Sequence, residues 1–211
     1  MQSTLEIALT LVVLILSIIA HEVAHGYAAD MLGDPTARYA GRLTLNPLAH
    51  IDPVGSILVP LLLVFTSSPI FFGWAKPVPY NPHNLRNKRW GEAIVAGAGV
   101  ATNLLLAVIF ALLARAAAGA APAAASFMAT ISFVNLFLGL FNLIPFPPLD
   151  GYGVLAGVLP FSLSYPLRRF EMRVRSYGVV SLILFLIIFS YVLAGPFSNL
   201  VYYLFSLLIG A

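Results

Sequence analysis

From Ile7 to Ala20 every position is apolar except Thr10 and Ser17. Read on to His21 and His25, the polar positions Thr10, Ser17, His21 and His25 stand seven, four and four residues apart. Those steps keep to one side of an α-helix. The pattern predicts a greasy helix with a single polar stripe over Leu5–Met31. A bilayer core takes about 20 residues at 1.5 Å each, so this helix is long enough to span. Its stripe must face protein or water rather than lipid. Gly33-Asp34-Pro35 ends it.

Trp90–Ala114 reads as a second span, rich in small residues that permit close helix packing. Asn103 within it should face protein. Ser126–Ile144 is a third span and carries Asn135 and Asn142. Tyr177–Ala194 and Phe197–Leu208 read as two last spans broken at Gly195-Pro196. Between the first two spans, Thr36–Asn46 alternates and holds β-formers, which predicts one or two short strands or an extended loop. Val54–Phe72 is apolar but interrupted by Pro60, Ser67, Ser68 and Pro69, and is read as re-entrant rather than crossing. Gly73–Pro82 holds three prolines and must be extended. Pro145–Gly151 is irregular at the end of a span, where such backbone is tolerated only if buried in protein or lining a cavity. Tyr152–Leu159 follows as a short apolar helix, and Phe161–Ser176 as a basic interfacial segment. The expectation is an all-α polytopic membrane protein with about five to six transmembrane helices, a re-entrant segment and short membrane-associated β-strands.

Composition agrees. The chain has 211 residues, 60% hydrophobic and 9% charged, against about 25% charged for a soluble protein. A net charge of +3 needs no nucleic acid to explain it. With no cysteine, any metal must be held by His, Asp or Glu. The first helix lacks a basic segment before it and is read as retained rather than as a signal peptide. If 54–72 dips and returns, ten of the eleven Lys and Arg share one side, and only Arg115 lies opposite. The positive-inside rule then sets the N-terminus outside, the C-terminus in the cytoplasm, and the end of the first helix on the cytoplasmic side with the Asp150 loop.

The chemistry centres on His21-Glu22-Val23-Ala24-His25. Histidines four apart on a helix can reach one ion, and a carboxylate beside them can act as general base, which suits Zn²⁺. Ionisable groups at membrane depth are costly and mark function. A catalytic zinc keeps three protein ligands and an open position. The third ligand must come from the cytoplasmic half: Asp52, Glu92, His50 and Asp150 remain once Glu6, Asp30 and Asp34 are set aside by position. Asp150 stands out between Pro148 and Gly151, although it would also serve as a helix N-cap. His50 reads as an interfacial hydrogen-bonding residue, and His83 as a solvated loop residue.

His21-Glu-Val-Ala-His25-Gly26, with Asn142-Leu-Ile-Pro-Phe-Pro-Pro-Leu-Asp150-Gly151, resembles the site-2 proteases, a family of intramembrane zinc metalloproteases. The resemblance spans roughly residues 5–160. It implies one Zn²⁺ per chain held by His21, His25 and Asp150, with Glu22 as the catalytic carboxylate and Asn142 as a polar active-site residue. Gly41–Pro47 with His50–Pro53 looks like the compact branch without PDZ or other accessory domains. Residues 1–211 then form one integral-membrane protease domain, with its catalytic core over 5–160 and interfacial and helical segments over 161–211. Val100 stands where the family usually has proline. The activity implied is hydrolysis of peptide bonds within or near transmembrane segments of membrane proteins in a lipid bilayer. Gly73–Tyr80 or Arg38–Leu45 would offer an edge strand to the unwound substrate. The rival reading is a metal-ion transporter using the same His and Asp residues, but such a path needs polar groups at several depths.

Overall fold

The computed structural model describes residues 4–58, 61, 65, 75–87 and 90–210. The chain runs through α1 (Thr4–Met31), the single turn α2 (Thr36–Tyr39), a 3₁₀ turn at Pro47–His50, a π-helical segment at Pro53–Leu58 and a 3₁₀ turn at Pro82–Asn84. It continues with α3 (Gly91–Ala117), α4 (Pro122–Asn142), α5 (Asp150–Val158), α6 (Phe161–Ser176) and α7 (Val179–Ile188), then a π segment at Phe189–Leu193 and α8 (Ala194–Ile209).

Four helical stretches among the described residues are long and apolar enough to cross a membrane: Leu5–Met31, Gly91–Ala117, Pro122–Asn142 and Val179–Ile209. Large apolar side chains such as Leu16, Leu105, Leu112 and Leu184 lie exposed on their outer faces, as expected where lipid is the solvent. This is a multi-pass membrane protein.

Helix α3 is the axis, packed against α1, α4 and α5. Its inward face is one stripe at spacing four: Val95, Gly99, Asn103, Ala107 and Ala111, all buried. Small side chains on that stripe let α1 and α4 approach closely. Toward one end, Ala107 packs with Leu136 of α4 and Val201 of α8. Toward the other, Val95 packs with Ala29 of α1 and Leu85.

The structure differs from the sequence expectations in three ways. No strand forms among the described residues. At Thr36–Asn46 the alternation is overridden because the Asp34 carboxylate accepts from the Thr36 hydroxyl (2.5 Å) and amide (3.3 Å), folding the chain into α2. Residues 75–81 are extended but unpaired with another strand. The two last spans are one continuous helical run, because Pro196 lies in the first turn of α8, where a missing amide costs little, and the π segment widens the turn before it. As a result the C-terminus is not on the side of the basic α6. Gly210 lies beside Arg115, a Cβ there being 3.2 Å from the guanidinium carbon. The re-entrant expectation for 54–72 falls, beyond the π segment, mostly outside the described residues.

Candidate active site

Helix α1 presents Ser17, His21 and His25 on one face, as the spacing requires. α3 runs against that face, and α5 enters from the side with Asp150 in its first turn. Tight backbone packing delivers that carboxylate. A Cβ on Gly151 would stand 2.1 Å from the Leu143 carbonyl oxygen, so only glycine allows α5 to start so close to the end of α4. Asp150 is not used as an N-cap; Leu149 holds that position without a side-chain bond.

The Asp150 Oδ2 atom lies 2.8 Å from His21 Nε2 and 3.3 Å from His25 Nε2. The two Nε2 atoms are 3.0 Å apart. The other nitrogen of each ring faces an acceptor. His21 Nδ1 is 2.5 Å from Asn103 Oδ1, and His25 Nδ1 is 2.7 Å from the Val95 carbonyl oxygen. The Asn103 amide orientation is itself fixed, because its Nδ2 donates to Asn135 Oδ1 (2.8 Å). Asn135 Nδ2 in turn donates to Ser17 Oγ (2.9 Å). In the neutral tautomer that donates from Nδ1 to these acceptors, both rings point bare Nε2 lone pairs at each other and at a carboxylate. Three electron-rich atoms converging without a donor repel unless a cation joins them. Asp150 Oδ2 is buried and makes no hydrogen bond. The three ligand atoms lie within 4.8 Å of one another, and two imidazoles with one carboxylate are a donor set for catalytic zinc. The residues fit the metal.

The floor under the rings is Gly99. A Cβ there would be 2.5 Å from His25 Nε2 and 2.7 Å from His21 Nε2. Asn103, Asn135, Ser17 and Gly99 were not assigned roles from the sequence. The available signal was that Asn103 and Asn135 are buried amides in apolar helices, and that Gly99 and Asn103 share the stripe of Val95.

Glu22, next to His21, accepts a hydrogen bond on Oε2 from the Val78 amide (3.0 Å). Asn142 is half-buried at the end of α4, and its Nδ2 donates to the Leu138 carbonyl of its own helix (3.0 Å). Among the described contacts it is not bonded to His21, Glu22, His25 or Asp150. The other acidic and histidine candidates are occupied elsewhere. Glu92 pairs with Arg168 (2.6 Å), Asp52 caps the Val54 and Gly55 amides, and His50 Nε2 meets the Thr44 carbonyl oxygen (2.8 Å). Val100 is buried in the middle of α3, whose helix runs unbroken through it.

Fold and site together define a multi-pass membrane protein with a His-His-Asp group between its helices that could hold a metal ion. The profile of Peptidase family M50 matches residues 115–186, which include Asp150 but not the His21 motif. "Putative zinc metalloprotease YwhC" of Bacillus subtilis is 40% identical over 183 residues, covering 82% of this chain and 78% of the relative. Two proteins named Rip2, under the same description, are also similar. That of Mycolicibacterium smegmatis is 36% identical over 144 residues, 67% of this chain and 53% of the relative. That of Mycobacterium tuberculosis is 30% identical over 199 residues, 92% and 71% respectively. No solved structure matches. The chain belongs to peptidase family M50, the site-2 protease family.

Proposed function

We propose that this protein is a zinc-dependent intramembrane endopeptidase, cleaving peptide bonds within or near transmembrane segments of membrane-protein substrates in regulated intramembrane proteolysis. The single observation that carries the reading is the convergence of His21, His25 and Asp150 beside Glu22, with each imidazole fixed by its second nitrogen. Family membership and the zinc-metalloprotease names of the relatives support it. His21, His25 and Asp150 would hold one Zn²⁺. The bound ion supplies Lewis-acid polarisation of the scissile carbonyl and lowers the pKa of water.

The chain's own residues do the rest. Asn103 and the Val95 carbonyl keep both rings in one tautomer and one orientation. Glu22 removes a proton from the attacking water as its oxygen bonds to the carbonyl carbon, then delivers that proton to the amine as the C–N bond breaks. Asn142 still has a second amide hydrogen beyond the one given to Leu138, and that hydrogen would hold substrate backbone or the developing oxyanion. Regular strand addition on 75–81 is disfavoured. The Lys76 and Val78 amides are taken by His50 and Glu22, while Pro77 and Pro79 have none. The positive-inside rule favours the cell membrane with the site end and α6 facing the cytoplasm and both chain ends opposite. No nucleic acid is expected to take part.

The test is cleavage of a membrane-embedded substrate by purified protein and by Glu22→Gln in lipid. The expected outcome is zinc retained by both and cleavage lost in the variant. Ion flux that survives in Glu22→Gln, with no cleavage by either form, would establish the transporter reading instead.

A further inference from the structure

Residues 75–81 form an extended strap that crosses the end of α1. No strand pairs with it among the described residues, so side chains hold it. At its far end the Asn81 amide donates to Asp34 Oδ2 (2.6 Å). At its near end the Lys76 amide donates to the His50 carbonyl (2.9 Å). The near end also receives a guanidinium. Arg42 is 7% exposed, yet among the described residues it has no carboxylate partner. Its donors go instead to backbone carbonyls: NH1 to Ala49, and NH2 to Lys76 and Pro77. A buried cation is costly unless its bonds matter to the structure around it.

Between these two anchors the strap reads Pro77-Val78-Pro79. Proline has no amide hydrogen, so Val78 is the one donor among three residues. Its side chain is buried and packs over Gly26, where a Cβ would be 2.8 Å from Val78 Cγ1. Its amide reaches Glu22 Oε2. The strap thus offers a single N–H at its midpoint, and that N–H is spent on the carboxylate beside the metal ligands.

We propose that Arg42 is a positioning residue for Glu22, acting through the strap: it clamps the Lys76 and Pro77 carbonyls so that the Val78 amide fixes the orientation of the Glu22 carboxylate. The proposal rests on the reading of Glu22 as the proton-transferring group. Misplacing such a group by about 1 Å lowers turnover by up to about 100-fold. Metal binding should be untouched, since Arg42 is not among His21, His25 and Asp150, and a purely positioning role leaves KM unchanged.

The experiment measures kcat, KM and zinc content on a membrane-embedded substrate for wild type, Glu22→Gln, Arg42→Ala, Arg42→Lys, Val78→Pro and the Arg42→Ala/Val78→Pro double variant. Arg42→Ala is expected to lower kcat about 10- to 100-fold, with KM and zinc unchanged. Arg42→Lys should recover part of that loss, because an ammonium can still reach a strap carbonyl. Val78→Pro removes the amide together with the valine contact over Gly26; its kcat should fall at least as far as that of Arg42→Ala, and the double variant should be no worse than the poorer single one. Should Arg42→Ala not fold, Val78→Pro decides by itself. A wild-type kcat in Val78→Pro, or a raised KM at unchanged kcat in Arg42→Ala, overturns the proposal while leaving the protease reading intact. Full cleavage by Glu22→Gln would instead overturn the reading of Glu22 as the proton-transferring group on which it rests, and no cleavage by wild type would overturn the protease reading.

Discussion

Gly99→Ala isolates the metal centre from the rest of the fold. In the interior of a helix, alanine is favoured over glycine by about 0.5–1 kcal/mol, so α3 itself should not suffer. The added carbon, however, would stand 2.5 Å from His25 Nε2 and 2.7 Å from both Nε2 and Cε1 of His21. Ordinary contact for such atoms is about 3.5 Å, so the rings must retreat by close to 1 Å. Zinc sites tolerate departures of only about 0.2 Å in ligand distance. Neither ring can swing freely, because each Nδ1 is pinned to α3, at Asn103 and Val95. Disturbing only the partners of metal ligands costs about 10- to 100-fold in affinity. Displacing the ligand atoms themselves should exceed that. The assay is zinc per chain after dialysis of purified protein, alongside a thermal melt of the zinc-free form. Wild type should hold one zinc and Gly99→Ala should lose it, with zinc-free melting lowered only modestly, since the helix-propensity gain partly offsets the displacement of the two rings. A Gly99→Ala protein that still binds one zinc per chain with wild-type affinity would refute the geometry.

Two other outcomes follow from the surroundings of the site. Asn103→Leu keeps the side-chain volume but leaves His21 Nδ1 and Asn135 Oδ1 without a partner; zinc affinity should fall about 10- to 100-fold by competition with a chelator, and an unchanged affinity would remove Asn103 from the site. Asp34 is fully buried. Burial raises its carboxyl, but the Thr36, Asn81 and Asn84 donors outweigh it and hold it below its ordinary value of 3.8. A lowered folded-state pKa contributes stability that is present above the unfolded value and lost as pH falls through the folded one. The stability gap between wild type and Asp34→Asn in detergent should therefore be constant from pH 8 to pH 5 and narrow only below about pH 4; a gap that closes near neutrality would contradict the assignment.

The meeting of His21, His25 and Asp150 was legible in the sequence because both the spacing and the setting of the histidines were unusual. His21 and His25 lie one turn apart on a helix whose other polar positions share their face. Asp150 was singled out as one of four candidates, and it took the proline-rich motif around it to favour it. What the sequence did not reveal was what touches the ligands from other helices. Asn103 and Gly99 read as packing residues, since nothing local tells which face of α3 turns toward α1. Alternation in Thr36–Asn46 predicted strands, but strand pairing needs a partner, and Asp34 captured the local amides first. Gly195-Pro196 read as a break because proline usually ends a helix; a position in the first turn after a π segment is the exception, and only the three-dimensional path shows it. The Val78 amide at Glu22 is a backbone contact across 56 residues, for which no side-chain pattern exists.

Fusing the last two expected spans into one has a practical consequence. The chain's tail ends beside Arg115, at the far end of the bundle from Asp150 and the basic α6. In the proposed orientation, a reporter or affinity handle appended after Ala211 would sit across the bilayer from the His21–Asp150 end. It would leave that end clear and report on the opposite compartment.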